Sequence, residues 1–118
     1  MVLNLYKIIN ETDSTIQLSN DENTCDNYTV YPGETRRRDC WLPMSKCFRV
    51  KITLNGSPIL FLSDQNWNLT IENGNHSILR NQGVDKSKDF YLRITNSQAV
   101  FTCNGPFKDD IESFTVHY

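Results

Sequence analysis

The sequence lacks a signal peptide, a membrane-spanning segment and an excess of basic charge. No apolar run is long enough to cross a bilayer, and the first residues show no basic segment followed by a long apolar stretch. The net charge of −2 and the isoelectric point near 5.6 disfavour binding to a phosphate backbone, which needs a basic surface. We predict no nucleic-acid partner and leave the location open between the cytoplasm and release as a mature chain.

Motifs for catalysis and metal binding are also absent from the sequence. The two histidines, His76 and His117, lie far from every cysteine and from any recognised nucleophile motif. No Cys-x-x-Cys pair occurs, which disfavours zinc. We predict a protein that is not an enzyme and that uses no metal or cofactor. An enzyme with an unrecognised site is the third and last alternative for the function.

Helical periodicity is missing, whereas alternation of apolar and polar residues recurs along the chain. Every second residue of segment 48–54 is apolar, and Asn55-Gly56 then provides a hairpin turn. About nine such short strands, separated by turns, predict an all-β fold. We expect an antiparallel β-sandwich, with a β-barrel as the alternative, folded as a single domain over residues 1–118. Trp67 alternates with Leu69 and is expected in the core.

Four cysteines are many for a cytosolic chain of this length. Two disulfides and four free thiols are equally compatible with the sequence. If disulfides form, we predict the pairs Cys25–Cys40 and Cys47–Cys103. The first pair would close a short loop around Pro32-Gly33, which leaves the long closure to the second pair.

The most unusual side chains fall in a predicted loop at residues 34–46. Trp41 lies there in a mainly polar setting, where its ring either covers one end of the sandwich or forms an exposed platform. Sugars stack on exposed aromatic rings, while carboxylates and amides bind their hydroxyl groups. The residues that would form a sugar site with Trp41 are Asp39, Asp64, Asn66 and Tyr31.

Three consecutive arginines, Arg36, Arg37 and Arg38, lie in the same predicted loop. Guanidinium groups can bind a phosphate, a sulfate or a carboxylate through paired hydrogen bonds. The favoured alternative is that the three arginines are solvated loop residues whose charges interact with scattered acidic side chains.

The front of the chain contains, in order, the segments YKIINET, TIQL, YTVYPGET and RDCW, followed by a strand and the Asn55-Gly56 hairpin. This order resembles small, leaderless β-sandwich proteins of soil bacteria and fungi, some insecticidal and some lectin-like. The resemblance covers about residues 5–72, and the four cysteines and the remaining C-terminal part depart from it. It implies a β-sandwich and a non-enzymatic binding role in defence, and it transfers no residue roles.

Together these observations predict a lectin-like protein that binds carbohydrate through loops at one end of a β-sandwich. The expected partner is a glycan or glycoconjugate, and a homo-oligomer is left open. The main alternative is a small insecticidal toxin that recognises a host membrane or receptor.

Overall fold

The computed structural model describes residues 3–44, 47–66, 68–83, 89–104 and 111–118. Within these ranges the chain forms strands and one short 3₁₀ helix at Thr24–Asp26, and no α-helix. The strands are β1 (Asn4–Asn10), β2 (Ile16–Asn20), β3 (Tyr28–Val30), β4 (Thr35–Trp41), β5 (Val50–Leu54), β6 (Ser57–Gln65), β7 (Asn68–Asn73), β8 (Ile78–Gly83), β9 (Asp89–Ile94), β10 (Gln98–Asn104) and β11 (Ile111–His117).

The strands form two sheets packed face to face. One sheet has five strands in the order β11-β10-β9-β1-β4, and the other has six in the order β3-β2-β5-β6-β7-β8. The predicted β-sandwich is therefore confirmed, with eleven described strands instead of about nine. One pair differs from the expected antiparallel arrangement, because β1 and β9 run parallel. Each sheet keeps two edge strands, so the sheets do not close into a barrel.

Alternation along the strands explains the core between the sheets. In β5 and β6, Val50, Ile52, Leu60 and Leu62 have almost no exposed surface. In the five-stranded sheet, Phe101 of β10 lies between the rings of Phe90 in β9 and Phe114 in β11. Its ring centre is 6.1 Å from that of Phe90 and 5.2 Å from that of Phe114. Trp67, expected in this core, lies outside the described residues.

Two turns adopt the conformations that their residues favour. Asn55 and Gly56 have φ angles of 50° and 81°, the left-handed values that a two-residue hairpin of type I′ requires. In the turn 31–34, the amide of Glu34 donates to the carbonyl oxygen of Tyr31 at 2.9 Å, and Gly33 has a φ of 77°. Pro32 and Gly33 thus occupy the positions preferred in a type II turn.

The prediction of a loop at residues 34–46 is wrong for the first half of this segment, because residues 35–41 form β4. This segment shows no apolar alternation in the sequence, since its inward row consists of Arg36, Arg38 and Cys40. An edge strand tolerates such charge, because one of its sides is unpaired and open to water. Trp41 is therefore the last residue of a strand and not a loop residue, and its pairing with Asn4 of β1 fixes its position.

We predict that Phe101→Ala lowers the free energy of unfolding by about 3–5 kcal/mol, because it empties a fully buried aromatic position. Urea unfolding followed by circular dichroism measures this loss. Phe48→Ala is the matched control, since Phe48 is 45% exposed and should cost about 1 kcal/mol or less. Equal losses for the two variants would contradict the described core.

Candidate functional site

The candidate site is a cleft of about 280 Å³ at the end of the sandwich where β4 finishes. Trp41 forms one wall and is 44% exposed, so its ring is accessible. The opposite wall is the loop that follows β2. The two walls come from different sheets, so the packing of the sheets creates the cleft. The lining residues are Asn20, Glu22, Asn23, Asp26, Trp41, Leu42 and Met44.

The amide of Asn20 joins the two walls. Asn20 is 2% exposed, and its Nδ2 atom donates to the carbonyl oxygen of Trp41 at 3.2 Å and to Oδ2 of Asp26 at 3.3 Å. Its Oδ1 atom accepts from the backbone amides of Glu22 at 3.0 Å and Asn23 at 3.3 Å. One buried side chain therefore fixes the loop after β2 to the strand end that carries Trp41.

Further hydrogen bonds hold the rest of this loop. The side chain of Asn23 caps the 3₁₀ helix by accepting from the amide of Cys25 at 3.2 Å. The backbone amide of Asp21 donates to the carbonyl oxygen of Arg49 at 3.1 Å. The loop is thus attached at several points, and this places Glu22 and Asp26 in the lining of the cleft with Trp41.

Two of the arginines of β4 donate hydrogen bonds to the main chain. Nη1 of Arg36 donates to the carbonyl oxygen of Thr29 at 3.0 Å, and Nη2 of Arg38 donates to that of Cys25 at 2.7 Å. Both guanidinium carbons lie within 6 Å of the centre of the Tyr28 ring, at 5.6 and 5.7 Å. These two residues therefore bridge the edges of the two sheets, a role that the sequence did not predict, and the anion site stays a prediction.

Asp39 lies two residues before Trp41, on the outward row of the same strand. Its Oδ1 atom accepts from Nδ2 of Asn4 at 3.1 Å, and that Nδ2 also donates to Oδ1 of Asp89 at 3.3 Å. Asn4 in turn accepts from the backbone amide of Cys40 at 3.0 Å. The structure therefore brings Asp39 close to Trp41 and adds Asp89, which the sequence did not single out.

Of the five predicted sugar-binding residues only Trp41 is among the described residues that line the cleft. Asp64 lies on the inward row of β6 and is 1% exposed, so its carboxylate is not presented to a ligand in this structure. Asn66 is exposed, with a φ of 57°, in the turn after β6 at the same end of the sandwich. Tyr31 is 59% exposed but lies beyond the opposite end of β4, roughly 20 Å from Trp41 along that strand.

The residues that sequence reasoning missed are those of the loop after β2. The sequence reads Asn20-Asp21-Glu22-Asn23, a polar run that is typical of a solvated turn. The high content of amide and acidic residues in this run was the one available signal of a polar site, but it does not indicate which edge of the sandwich the loop faces. Only the stacking of the sheet that contains β2 on the sheet that contains β4 places this loop beside β4.

Of the two alternatives that the sequence left open, the structure has four thiols, and the disulfides predicted for the other case are not found. Each predicted pair would join an exposed residue to a buried one: Cys25 and Cys47 are exposed, whereas Cys40 and Cys103 lie in the core. Burial raises the pKa of Cys40 to about 12 and that of Cys103 to about 11. The two inner thiols therefore stay protonated and unreactive at neutral pH.

The described residues contain no group of three or more metal-binding side chains. Both histidines are exposed, and the ring of His76 lies 4.5 Å from that of Phe61. No helix in the described part of the chain has the length and apolar character needed to cross a membrane.

Comparison of the chain with protein-family models, with curated proteins and with solved structures gives no match. The resemblance to lectin-like and insecticidal proteins therefore stays a prediction.

We expect a thiol reagent such as Ellman's reagent to modify two cysteines rapidly in the native protein at pH 8, and all four in denaturant. The fast pair should be Cys25 and Cys47, because only these two are exposed. Cys25→Ser and Cys47→Ser should each remove one fast equivalent. Recovery of fewer than four thiols from unreduced, denatured protein would restore the disulfide hypothesis.

Proposed function

We propose that the protein is a non-enzymatic, lectin-like protein that binds carbohydrate in the cleft beside Trp41. The observation that carries the proposal is a half-exposed indole ring, fixed at a strand end, next to amide and carboxylate side chains. An aromatic ring offers a flat apolar surface to the C–H face of a sugar. The neighbouring polar groups then select its hydroxyl groups by hydrogen bonding.

The cleft is prepared for a ligand by contacts that do not involve one. Asn20 and Asn23 use their side chains to hold the loop, so the positions of Glu22 and Asp26 do not depend on binding. Preorganisation of this kind lowers the entropy that a ligand must overcome. The volume of about 280 Å³ is at the small end for ligand sites and suits one or two sugar units.

The proposed role of each residue follows from its place. Trp41 stacks on the sugar, and Glu22, Asn23 and Asp26 bind hydroxyl or amino groups from the opposite wall. Asp39, on the outward row of β4, extends the polar surface beyond the cleft for a longer glycan. A function in defence stays a prediction from the resemblance of the sequence.

We expect Trp41→Ala to weaken glycan binding by about 2 kcal/mol or more, roughly 30-fold, because a central aromatic contact is lost. Its cost to folding should be about 2 kcal/mol, since nearly half of the side chain is already exposed. A glycan array identifies the sugar, and titration calorimetry at a temperature where the variant is folded measures the affinity.

Ile78→Ala is the matched control for this experiment. Ile78 is the most exposed large hydrophobic residue described, at 62%, and it begins a strand at the other end of the sandwich. Its truncation should leave glycan binding unchanged. A folded Trp41→Ala protein that binds as well as the parent would refute the proposed site.

A second candidate function is binding to a membrane or a receptor as a toxin. It is favoured by three exposed apolar side chains at the same end, Trp41, Met44 and Phe48, which are 44%, 50% and 45% exposed. Exposed apolar groups of this kind mark interaction surfaces. Leakage of dye from neutral phosphatidylcholine vesicles, lost in Phe48→Ala but not competed by sugar, would support this function over the first.

A further inference from the structure

Among the described residues that line the cleft beside Trp41, two carry carboxylates and none is basic. Glu22 and Asp26 both line it, together with the amides of Asn20 and Asn23 and with apolar side chains. Neither carboxylate forms an ion pair with any residue in the described ranges. The described lining of the cleft therefore carries net negative charge.

Arg38 is a described basic residue that contacts this loop, and its guanidinium group is directed away from the cleft. Arg38 donates to the carbonyl oxygen of Cys25 at 2.7 Å, and its guanidinium carbon lies 5.7 Å from the centre of the Tyr28 ring. These contacts hold the guanidinium on the Tyr28 side of the loop, and Arg38 does not line the cleft. Its charge is thus used to join the sheets and not to pair with the lining carboxylates.

The carboxylate of Asp26 is oriented by one hydrogen bond and can accept more. Its Oδ2 atom accepts from Nδ2 of Asn20 at 3.3 Å, while its Oδ1 atom has no hydrogen-bond partner among the described residues. A carboxylate held by one oxygen and open at the other can accept a charged donor without first breaking its support. The indole of Trp41 favours the same ligand charge, because a cation is attracted to the face of an aromatic ring.

From this charge and geometry we propose that the glycan recognised by the cleft contains an amino sugar with a free ammonium group. The inference rests on the proposed function and adds the class of sugar. The apolar face of the sugar lies on Trp41, and its ammonium group lies between the carboxylates of Glu22 and Asp26. N-acetylation converts the ammonium group into a neutral amide, which removes both the ion pairs and the cation–π attraction.

The probe is an array of matched glycans that end in glucosamine, galactosamine or mannosamine with a free amine, each beside its N-acetylated form. We expect at least one free-amine form to bind about tenfold more tightly than its acetylated partner, from two partly exposed ion pairs and one cation–π contact. The preference should shrink when the salt concentration rises from 0.05 to 0.5 M, because salt screens exposed charges.

The double variant Glu22→Gln, Asp26→Asn tests the residues. Both changes keep hydrogen-bonding groups of the same shape, and the new amide oxygen at position 26 can still accept from Asn20. The variant should lose the preference for the free amine while it still binds the acetylated form. Asp21→Asn, a change of charge in the same loop but outside the lining of the cleft, should keep the preference.

The outcomes separate this inference from the proposed function. If sugars bind through Trp41 but no free-amine form is preferred, or if the preference survives in the double variant, the ammonium site is wrong and the lectin function stands. If neither member of any pair binds, the ammonium site is overturned. If no glycan of the wider array binds either, the proposed function is overturned as well.

Discussion

Each sheet buries one face against the other, and this contact governs the position of every side chain discussed above. Because strand side chains alternate, half of each strand faces a dry interior and the other half faces water. The inward row of β5 and β6 is accordingly Val50, Ile52, Leu60 and Leu62, all without measurable exposure. Polar and unusual side chains are left to the outward rows, the edges and the two ends.

At the edges of the sandwich, arginine side chains bridge the two sheets. Arg36 and Arg38 reach from the edge strand β4 to the edge strand β3 and the loop before it, where they bind carbonyl oxygens beside the Tyr28 ring. At the other edge, the guanidinium carbon of Arg80 lies 3.9 Å from the centre of the Phe114 ring. Guanidinium suits this task, because it is planar, stacks on rings and donates several hydrogen bonds. A charged edge also resists pairing with a second chain.

The candidate site is a consequence of the same packing. The end of β2 belongs to one sheet and the end of β4 to the other, so Asn20 and Trp41 meet only because the sheets are stacked. The buried amide of Asn20 converts this meeting into a fixed geometry. With Arg38 engaged on the Tyr28 side, the carboxylates of Glu22 and Asp26 are the charged groups of the described cleft lining. The residues that hold this end together and the residues of the proposed ligand site are therefore neighbours.

The sequence by itself determined the class of fold, because alternation and the turn residues Asn55, Gly56 and Gly33 are local signals. It also marked Trp41 and Asp39, since a large ring in a polar stretch is conspicuous at any position. It failed for β4, where three arginines hide the alternation of an edge strand. It left the cysteines open between disulfides and free thiols, because local spacing does not show whether each one is buried or exposed.

Only the tertiary structure decided which of the marked residues meet. Asp64 lies on the inward row and Tyr31 at the opposite end, whereas Asn20, Glu22 and Asp26 come to Trp41 from a distant part of the chain. The physical reason is that spacing along one strand determines the face of a residue, while the order of strands in two stacked sheets determines its neighbours. That order depends on long-range pairing, which no local pattern of residues encodes.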